Sequence, residues 1–289
     1  MTVTALRPAE VDPLGPLSGG VWRGPGVRVR RRSGPPTERS GALHTPRFRA
    51  IRRDGTLTVE HDLTPDELSD TLAVLLTEQL DGILLGQQDF ESVFTGVVRT
   101  TVPGGLAAWT RFYRNSLGLL ESGRSSFAAV HQRAAELVTG PWLLDLGSCF
   151  GFFPLRMSRL GHEVTATDLR APTTDLLARV SARLERPLRT VACDAARVPR
   201  PDGAADTVTA LHLLEHLDPG TGDAVLFEAV RLARRRVVVA VPFEQEPQAC
   251  YGHVRTFDLA ILRELGARCT GMRANVFEYH GGWLVLDRV

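Results

Sequence analysis

The second half of the chain alternates short runs of β-branched and apolar residues with stretches of helical periodicity. This alternation starts at Gly140-Pro141 and is typical of βαβ units, in which a helix connects two parallel strands. The predicted strands of this kind are residues 142–146, 163–167, 188–193, 207–211 and 237–241. A later pair of runs, at 268–273 and 283–287, is expected to form an antiparallel end of the sheet. The pattern predicts an α/β fold for residues 140–289, with a doubly wound sheet of about seven strands.

The first half of the chain has a different pattern. Residues 1–45 are dense in Pro, Gly, Ser and Arg, and we predict a basic, largely irregular arm with one short strand. Residues 46–139 are predicted to form a smaller, mostly helical module that includes a hairpin at Asp54-Gly55, a dipeptide that favours tight turns. The predicted helices of this module lie at residues 63–85 and, as a pair, within 106–139.

Composition and charge narrow the possible partners. The chain has 289 residues, 43% of them hydrophobic and 23% charged, with a net charge of +1. All 34 strongly basic residues are arginines, and residues 1–53 hold eleven of them against three acids. The remainder is therefore mildly acidic. A nearly neutral molecule of this kind does not attract nucleic acid in general, so nucleic acid is not the expected partner.

The sequence also gives expectations for the cellular location of the protein and for metal binding. No segment approaches the roughly 18 uncharged apolar residues that cross a bilayer, and the N-terminus lacks the apolar core of a signal peptide. The four cysteines are far apart and form no C-x-x-C pair. We therefore expect a cytoplasmic protein with free thiols and no membrane partner. No metal site is expected, since no group of His, Asp or Glu has the spacing of metal ligands along the chain.

The most informative segment is the turn after the first predicted strand, from Asp145 through Gly147 and Ser148 to Gly151. Glycines let the backbone approach a ligand, and the N-terminus of the helix that follows offers free N–H groups. A carboxylate at the tip of the strand repels a pyrophosphate and favours a cationic amino-acid or sulfonium ligand. A dinucleotide fingerprint also requires a glycine where this chain has Cys149. The segment therefore indicates a cationic ligand rather than a dinucleotide.

Two further acids end the next two predicted strands. Asp168 stands 23 residues after Asp145, where a carboxylate accepts hydrogen bonds from the diol of a ribose. Asp194, followed by Ala195, ends the third strand, where an acid accepts from an exocyclic adenine amine. Because the carboxyl ends of parallel strands meet at one edge of a sheet, we expect the three acids to line one ligand site.

These motifs, together with residues 210–217, resemble the class I S-adenosylmethionine-dependent methyltransferases over residues 142–287. The resemblance implies a Rossmann-like sheet and S-adenosyl-L-methionine as the cofactor. The implied cofactor-binding residues are Asp145, Gly147, Ser148, Gly151, Asp168, Asp194, Ala195 and His212. Within this set, Asp168 would bind the ribose and Asp194 the adenine amine, and His212 would line the far side of the pocket.

Two later segments concern the methyl acceptor. Nucleobase amine methyltransferases of this class carry an Asn/Asp-Pro-Pro-aromatic signature after the fourth strand, where this chain has Leu211-His212-Leu213-Leu214. Residues 251–257 instead resemble a segment of small-molecule and sugar O-methyltransferases. Transfer to a hydroxyl benefits from a nearby base, and His253 is the first candidate and His216 the second. The candidate substrate-binding residues are Glu244, Tyr251, Arg255 and His280.

The layout of the whole chain resembles, more narrowly, the mycofactocin oligosaccharide methyltransferases. The residues that carry this resemblance are 112–117, 251–257 and 280–284. It implies O-methylation of a sugar hydroxyl on a glycan or a glycosylated small molecule. Two alternatives stay open: an RNA or DNA methyltransferase that uses the basic arm, and a non-catalytic module that binds S-adenosylmethionine. Steep salt dependence would favour the first alternative, and ligand binding without turnover would favour the second.

Overall fold

The computed structural model describes residues 11–32 and 41–289. The remaining parts of the predicted basic arm lie outside the described residues. The chain divides into two compact units, Met1–Asn115 and Ser116–Val289. Within the described part of the chain, no helix combines the length and the hydropathy that a bilayer crossing needs.

The N-terminal unit contains a six-stranded sheet. Its strands are β1 (Leu17–Ser18), β2 (Val21–Gly24), β3 (Val27–Arg31), β4 (Leu43–His44), β5 (Phe48–Arg53) and β6 (Thr56–His61). The order across the sheet is β1-β2-β3-β6-β5-β4, and β3 and β6 are parallel whereas the other neighbours are antiparallel. Strands β5 and β6 flank Asp54-Gly55, where φ is 48° and 72°, and form the predicted hairpin.

This unit holds more sheet than the sequence analysis predicts, and residues 17–31 are not irregular. The one short strand predicted in the arm is β3, where Val27 and Val29 are buried and the arginines beside them, Arg28 and Arg30, are exposed. This period of two is the pattern of a strand with one buried face. Strands β1, β2 and β4 are not predicted, because they have only two to four residues and lie among many Arg, Gly and Pro residues.

The helices of the first half differ in length from the prediction, and the helix at Gln87–Thr101 is not predicted at all. They are α1 (Leu72–Gln79), α2 (Gln87–Thr101) and α3 (Gly105–Glu121), and the division between the two units falls inside α3. Thr64 and Glu67 form a capping box, but they begin only one 3-10 turn, Pro65–Glu67. The hydroxyls of Ser69 and Thr71 then hydrogen-bond to each other at 2.7 Å before α1 starts. Such local bonds compete with helix formation, which shortens the predicted helix.

The C-terminal unit contains a seven-stranded sheet with helices between its strands. Its strands are β7 (Trp142–Asp145), β8 (Glu163–Asp168), β9 (Arg189–Ala192), β10 (Ala205–Leu211), β11 (Ala233–Val241), β12 (Met272–Glu278) and β13 (Gly282–Arg288). Its remaining helices are α4 (Ala128–Leu137), α5 (Phe152–Arg159), α6 (Ala171–Arg183), α7 (Pro219–Leu232) and α8 (Leu259–Ala267). The order across the sheet is β12-β13-β11-β10-β7-β8-β9.

Strands β7 to β11 are parallel, and β13 is antiparallel to both of its neighbours. The α/β doubly wound, Rossmann-like sheet predicted from the sequence is therefore present. Strand β12 begins at Met272, later than the predicted run at 268–273, because α8 continues to Ala267 and the chain turns at Gly271, where φ is 73°.

The strand order reverses between β7 and β10, so the connections from these two adjacent strands run in opposite directions. Open α/β sheets bind ligands in the crevice outside the carboxyl ends of the strands at such a point. We call the edge at which β7 to β11 end the carboxyl edge of the sheet.

Candidate active site at the carboxyl edge of the sheet

The turn between β7 and α5 is built around two glycines with positive φ. The angle is 64° at Gly147 and 68° at Gly151, a region in which a β-carbon is strained. A β-carbon at Gly147 would lie 2.5 Å from Cδ1 of Leu213, and one at Gly151 would lie 2.4 Å from Cδ2 of Leu177. Cys149, between the two glycines, also has a positive φ of 49°. Both glycines are therefore required by conformation and by space.

Asp145 ends β7 and is buried, with 3% of its surface exposed. Its carboxylate accepts hydrogen bonds from the hydroxyl of Thr209 and, at 2.7 Å, from the hydroxyl of Ser148. Burial raises the pKa of Asp145 to about 6; the two hydrogen bonds oppose this shift and the charge of Asp168 adds to it. A bound cation would stabilise the charged form of such a carboxylate.

Asp168 lies at the end of β8, the strand that pairs with β7. Its Oδ2 accepts the backbone N–H of Cys149 at 3.0 Å, and its Oδ1 accepts that of Arg170 at 3.0 Å. The backbone N–H of Ser148 also donates to the carbonyl of Thr167 at 2.7 Å. These bonds hold the Asp168 carboxylate beside the glycine turn, so the structure brings the first two predicted acids to neighbouring strand ends.

Asp194 and Ala195 follow β9, which pairs with β8. The backbone N–H of Cys193 donates to the carbonyl of Asp168 at 2.9 Å and ties the two strand ends together. Asp194 is exposed, and its Oδ1 accepts the backbone N–H of Ala196 at 2.8 Å. The three acids therefore stand on three adjacent strands in the order that the sequence predicts.

His212 follows β10 with a positive φ of 52°. Its backbone N–H donates to the carbonyl of Ala240 at 2.9 Å, and its ring packs edge-on against Phe127, with 5.5 Å between the centroids. The Nδ1 atom lies 3.2 Å from Oε1 of Glu215. The Nε2 atom is buried without a hydrogen-bond partner in the described part of the chain.

His253 and Glu244 form a close pair in the segment after β11. Nδ1 of His253 lies 2.8 Å from Oε2 and 3.0 Å from Oε1 of Glu244. The carboxylate favours a proton on Nδ1 and leaves Nε2 as the basic nitrogen. The ring of His216 meets that of His253 edge to face, with 4.8 Å between the centroids. Burial lowers the pKa of His216, although the charge of Glu215 opposes this shift.

Tyr251 and Arg255 flank His253 in the chain. The ring of Tyr251 lies 5.9 Å from that of His253 between centroids. Arg255 donates through Nε to the carbonyl of Leu214 at 3.1 Å, and its guanidinium lies 4.4 Å from the centroid of the Phe257 ring. Arg255 thus fastens this segment to the turn after β10.

His280 lies in the turn between β12 and β13 and is exposed. Its ring contacts that of Tyr279, with 4.7 Å between the centroids. A β-carbon at the next residue, Gly281, would lie 2.5 Å from the carbonyl oxygen of Val241, the last residue of β11. The turn that carries His280 therefore also lies at the carboxyl edge.

Sequence reasoning does not single out two threonines that hold Asp145. The hydroxyl of Thr209, on β10, donates to the carboxylate, and that of Thr167, on β8, donates to the backbone carbonyl of Asp145 at 3.0 Å. Threonine is common in strands, so neither residue type nor spacing indicates these bonds in advance.

Sequence reasoning also misses a group of three side chains, which we call the His–Glu cluster: Glu215, His216 and His253. One potential ligand atom from each lies within 4.8 Å of the others. The sequence analysis expects no metal site on the ground of spacing along the chain, and the fold brings these three groups together from separate segments. Glu215 and His216 are neighbours in the 3-10 turn Leu214–His216, but His253 comes from a loop far along the chain. Spacing along the sequence does not indicate contacts of this kind.

A family model described as a methyltransferase domain matches residues 144–241. Similar solved structures include a SAM-dependent methyltransferase from Aquifex aeolicus, at 14% identity and a TM-score of 0.46, over 60% of this chain and 97% of that chain. Another is magnesium protoporphyrin IX methyltransferase from Synechocystis PCC 6803 with bound SAM, at 15% identity and a TM-score of 0.45, over 66% of this chain and 88% of that chain. No curated protein matches the chain significantly.

The matched segment runs from the middle of β7 to the end of β11 and includes Asp145, Asp168, Asp194 and His212. The buried carboxylate and the glycine turn, which has no room for β-carbons, fit a cationic nucleoside ligand. Residues 144–241 therefore match a methyltransferase domain. The protein is a methyltransferase, and S-adenosyl-L-methionine is its cofactor.

Proposed function

We propose that the three acids at the carboxyl edge bind the donor, with Asp145, Gly147, Ser148 and Gly151 around its methionine part. Asp145 attracts the cationic amino-acid end, because its buried carboxylate has few other charges to pair with. The free N–H groups at the start of α5 face the same turn.

The nucleoside part of the donor is assigned to the next two strand ends. Asp168 binds the ribose hydroxyls, Asp194 and Ala195 contact the adenine, and His212 lines the opposite side. This assignment is supported by the order of β7, β8 and β9 in the sheet, which sets the three acids side by side.

For the acceptor we propose a sugar hydroxyl on a glycan or a glycosylated small molecule, with a mycofactocin oligoglucoside as the particular acceptor. The observation that carries O-methylation is the His253–Glu244 pair, because an oriented imidazole with a free Nε2 suits proton abstraction from a hydroxyl. Tyr251 and His280 offer aromatic surface and a polar group for a sugar ring, and Arg255 holds the segment that carries His253.

The proposed reaction is a direct displacement. The bound donor supplies a methyl group on a sulfonium centre. Nε2 of His253 accepts the hydroxyl proton while the acceptor oxygen bonds to the methyl carbon and the carbon–sulfur bond breaks, and Glu244 stabilises the imidazolium that forms. Most of the rate is expected from positioning of the two substrates, with base assistance worth about 10²–10⁴-fold. His216 is the second candidate for the base.

Donor binding is tested by calorimetry with S-adenosylhomocysteine. Asp168→Ala and Asp194→Ala should each weaken binding by about tenfold or more, because each removes a charged hydrogen-bond acceptor. Asp175→Ala, at an exposed carboxylate on α6, is the matched control and should bind as the wild type does. Unchanged affinity in both site variants would end the assignment of the donor site.

The acceptor is tested with purified protein, S-adenosylmethionine and three acceptors in parallel: free oligoglucosides, the mycofactocin oligoglucoside and RNA. Mass spectrometry should find the gain of one methylene on a glucose unit and none on RNA. His253→Gln should reduce turnover by about 10²-fold or more without changing donor affinity. A His253→Gln enzyme with wild-type turnover would move the base to His216, and methylated RNA would contradict the sugar acceptor.

A further inference from the structure

The His–Glu cluster joins two segments at the carboxyl edge. The turn Leu214–His216 presents Glu215 and His216, and the loop after Ala249–Tyr251 presents His253. The backbone N–H of Val254 donates to the carbonyl of Glu215 at 2.8 Å and fixes one segment against the other. This backbone hydrogen bond between the two segments therefore holds the three side chains close to one another.

Glu215 is the unusual member of this cluster. It is fully buried, at 0% exposure, and neither carboxylate oxygen accepts a hydrogen bond within the described part of the chain. The nearby Nδ1 of His212 is 3.2 Å from Oε1 but is not aligned for a hydrogen bond. Arg255 lies close enough to interact with its charge, but its Nε is bonded to the carbonyl of Leu214. A buried carboxylate without hydrogen bonds is costly unless a ligand satisfies it.

The surroundings of His253 provide a second and independent indication. Glu244 holds Nδ1 of this histidine, at 2.8 Å. Histidines that bind metals commonly donate their other ring N–H to a carboxylate, which fixes the ring and raises its basicity. The pair thus has the arrangement of a metal ligand with its supporting carboxylate, and the side chains of both are largely shielded, at 10% and 17% exposure.

We propose that Glu215, His216 and His253 bind one divalent transition-metal ion, with zinc as the best match. Two imidazole nitrogens and one carboxylate, with a position left open, form a recurrent set of ligands for zinc, whereas magnesium and calcium prefer oxygen ligands. Ligand atoms of a tetrahedral zinc site lie about 3.4 Å apart for bonds near 2.1 Å, so the side chains, now within 4.8 Å, need only small rotations.

This inference goes beyond the proposed function, because it concerns a cation site that neither the donor nor the acceptor is needed to form. A metal there supplies Lewis-acid chemistry, which lowers the pKa of a bound hydroxyl. It would occupy the same Nε2 of His253 that is proposed as a base in the metal-free protein.

The site is tested by titrating the chelator-treated full-length protein with zinc chloride, in calorimetry without donor or acceptor. The wild type should bind one equivalent. Glu215→Gln, His216→Asn and His253→Asn should each lower the affinity by more than about 100-fold, and Glu244→Gln by about 10–100-fold. The matched controls are Glu246→Gln, on an exposed acid near Glu244, and His44→Asn, on an exposed histidine of β4; both should bind as the wild type does.

Thermal denaturation separates binding from misfolding. Zinc should raise the midpoint of the wild type but not that of Glu215→Gln. The metal-free variant should be at least as stable as the metal-free wild type, because a buried carboxylate without hydrogen bonds is replaced by a neutral amide. If Glu215→Gln does not fold, Glu244→Gln carries the test, because Glu244 lies in the loop after β11 and is only partly buried. No stoichiometric binding, or equal affinity in all variants, would overturn the metal site. Donor binding and methyl transfer are measured separately, so a failed metal site leaves the proposed function in place.

Discussion

Asp145 shows how a single residue combines a cost to stability with a benefit to binding. Its carboxyl is buried at the end of a central strand, and burial raises its pKa from 3.8 to about 6. The folded protein therefore holds the proton of Asp145 more tightly than the unfolded chain does. As the pH rises from about 4 to about 6, the unfolded chain releases this proton first, and stability falls by about 3 kcal/mol across that window.

Asp145→Asn should therefore stabilise the donor-free protein at neutral pH. The gain in the free energy of unfolding should approach about 3 kcal/mol above pH 6 and vanish below about pH 4, where both proteins are uncharged at this position. The same variant should bind S-adenosylhomocysteine at least about tenfold more weakly, because it lacks the charge that attracts the ammonium group. Urea denaturation at several pH values and calorimetry measure the two effects.

Asp175→Asn is the control for this prediction, since Asp175 is exposed on α6. It should change neither stability nor donor affinity. An Asp145→Asn protein that is less stable than the wild type at pH 7 would show that the hydrogen bonds from Thr209 and Ser148 outweigh burial.

At the scale of elements, the central strands of the C-terminal unit are predictable because most of their residues are buried, and those of β11 form a continuous apolar run. In β11, residues from Val237 to Val241 are all buried, and the predicted run coincides with the end of the strand. The sheet of the N-terminal unit is not predictable in this way. Only β3 and the hairpin of β5 and β6 are predicted; β1 and β4 have two residues each, which is too short for a hydrophobic pattern to show.

Some parts of the candidate active site are likewise predictable from the sequence, and others are not. The three acids follow strand ends, so local sequence and the rule for parallel sheets suffice to predict their neighbourhood. Contacts between loops do not follow such a rule. Glu215 and His253 are brought together by a hydrogen bond between their segments, and Arg255 reaches back to Leu214. The periodicity of hydrophobic residues along the chain does not predict such contacts, because they depend on the path of the folded backbone.

The glycine turn after β7 gives a prediction at the scale of an element. Gly151→Ala should destabilise the protein by about 2 kcal/mol or more, because the β-carbon meets Leu177 and the residue has a positive φ. Donor affinity should fall as well, since this turn is proposed to surround the methionine part of the donor. Gly118→Ala is the matched control: Gly118 is exposed in α3, with open space around it, and should gain up to about 1 kcal/mol. Equal stability of the two variants in urea would contradict a requirement for glycine at position 151.

At the scale of the whole molecule, the basic cluster at residues 28–32 decides between the sugar and nucleic-acid alternatives. Arg30 pairs with Glu60 and Arg32 with Asp62, so acids on or next to β6 neutralise part of the cluster. Arg28 is exposed on β3. The net charge of the chain is only +1. These ion pairs indicate that the described arginines stabilise their own sheet rather than bind a polyanion.

Methyl transfer to a neutral oligoglucoside should therefore change by less than about twofold between 50 and 200 mM salt, whereas a nucleic-acid acceptor held by six or more phosphate contacts would lose about 10³-fold in affinity. Arg28→Gln should leave the rate on the oligoglucoside unchanged, because Arg28 is exposed and forms no ion pair with residues 11–32 or 41–289. Rates measured for both proteins across this salt range check the prediction. A steep salt dependence that becomes shallower in Arg28→Gln would instead assign the cluster to phosphate binding and favour a nucleic-acid acceptor.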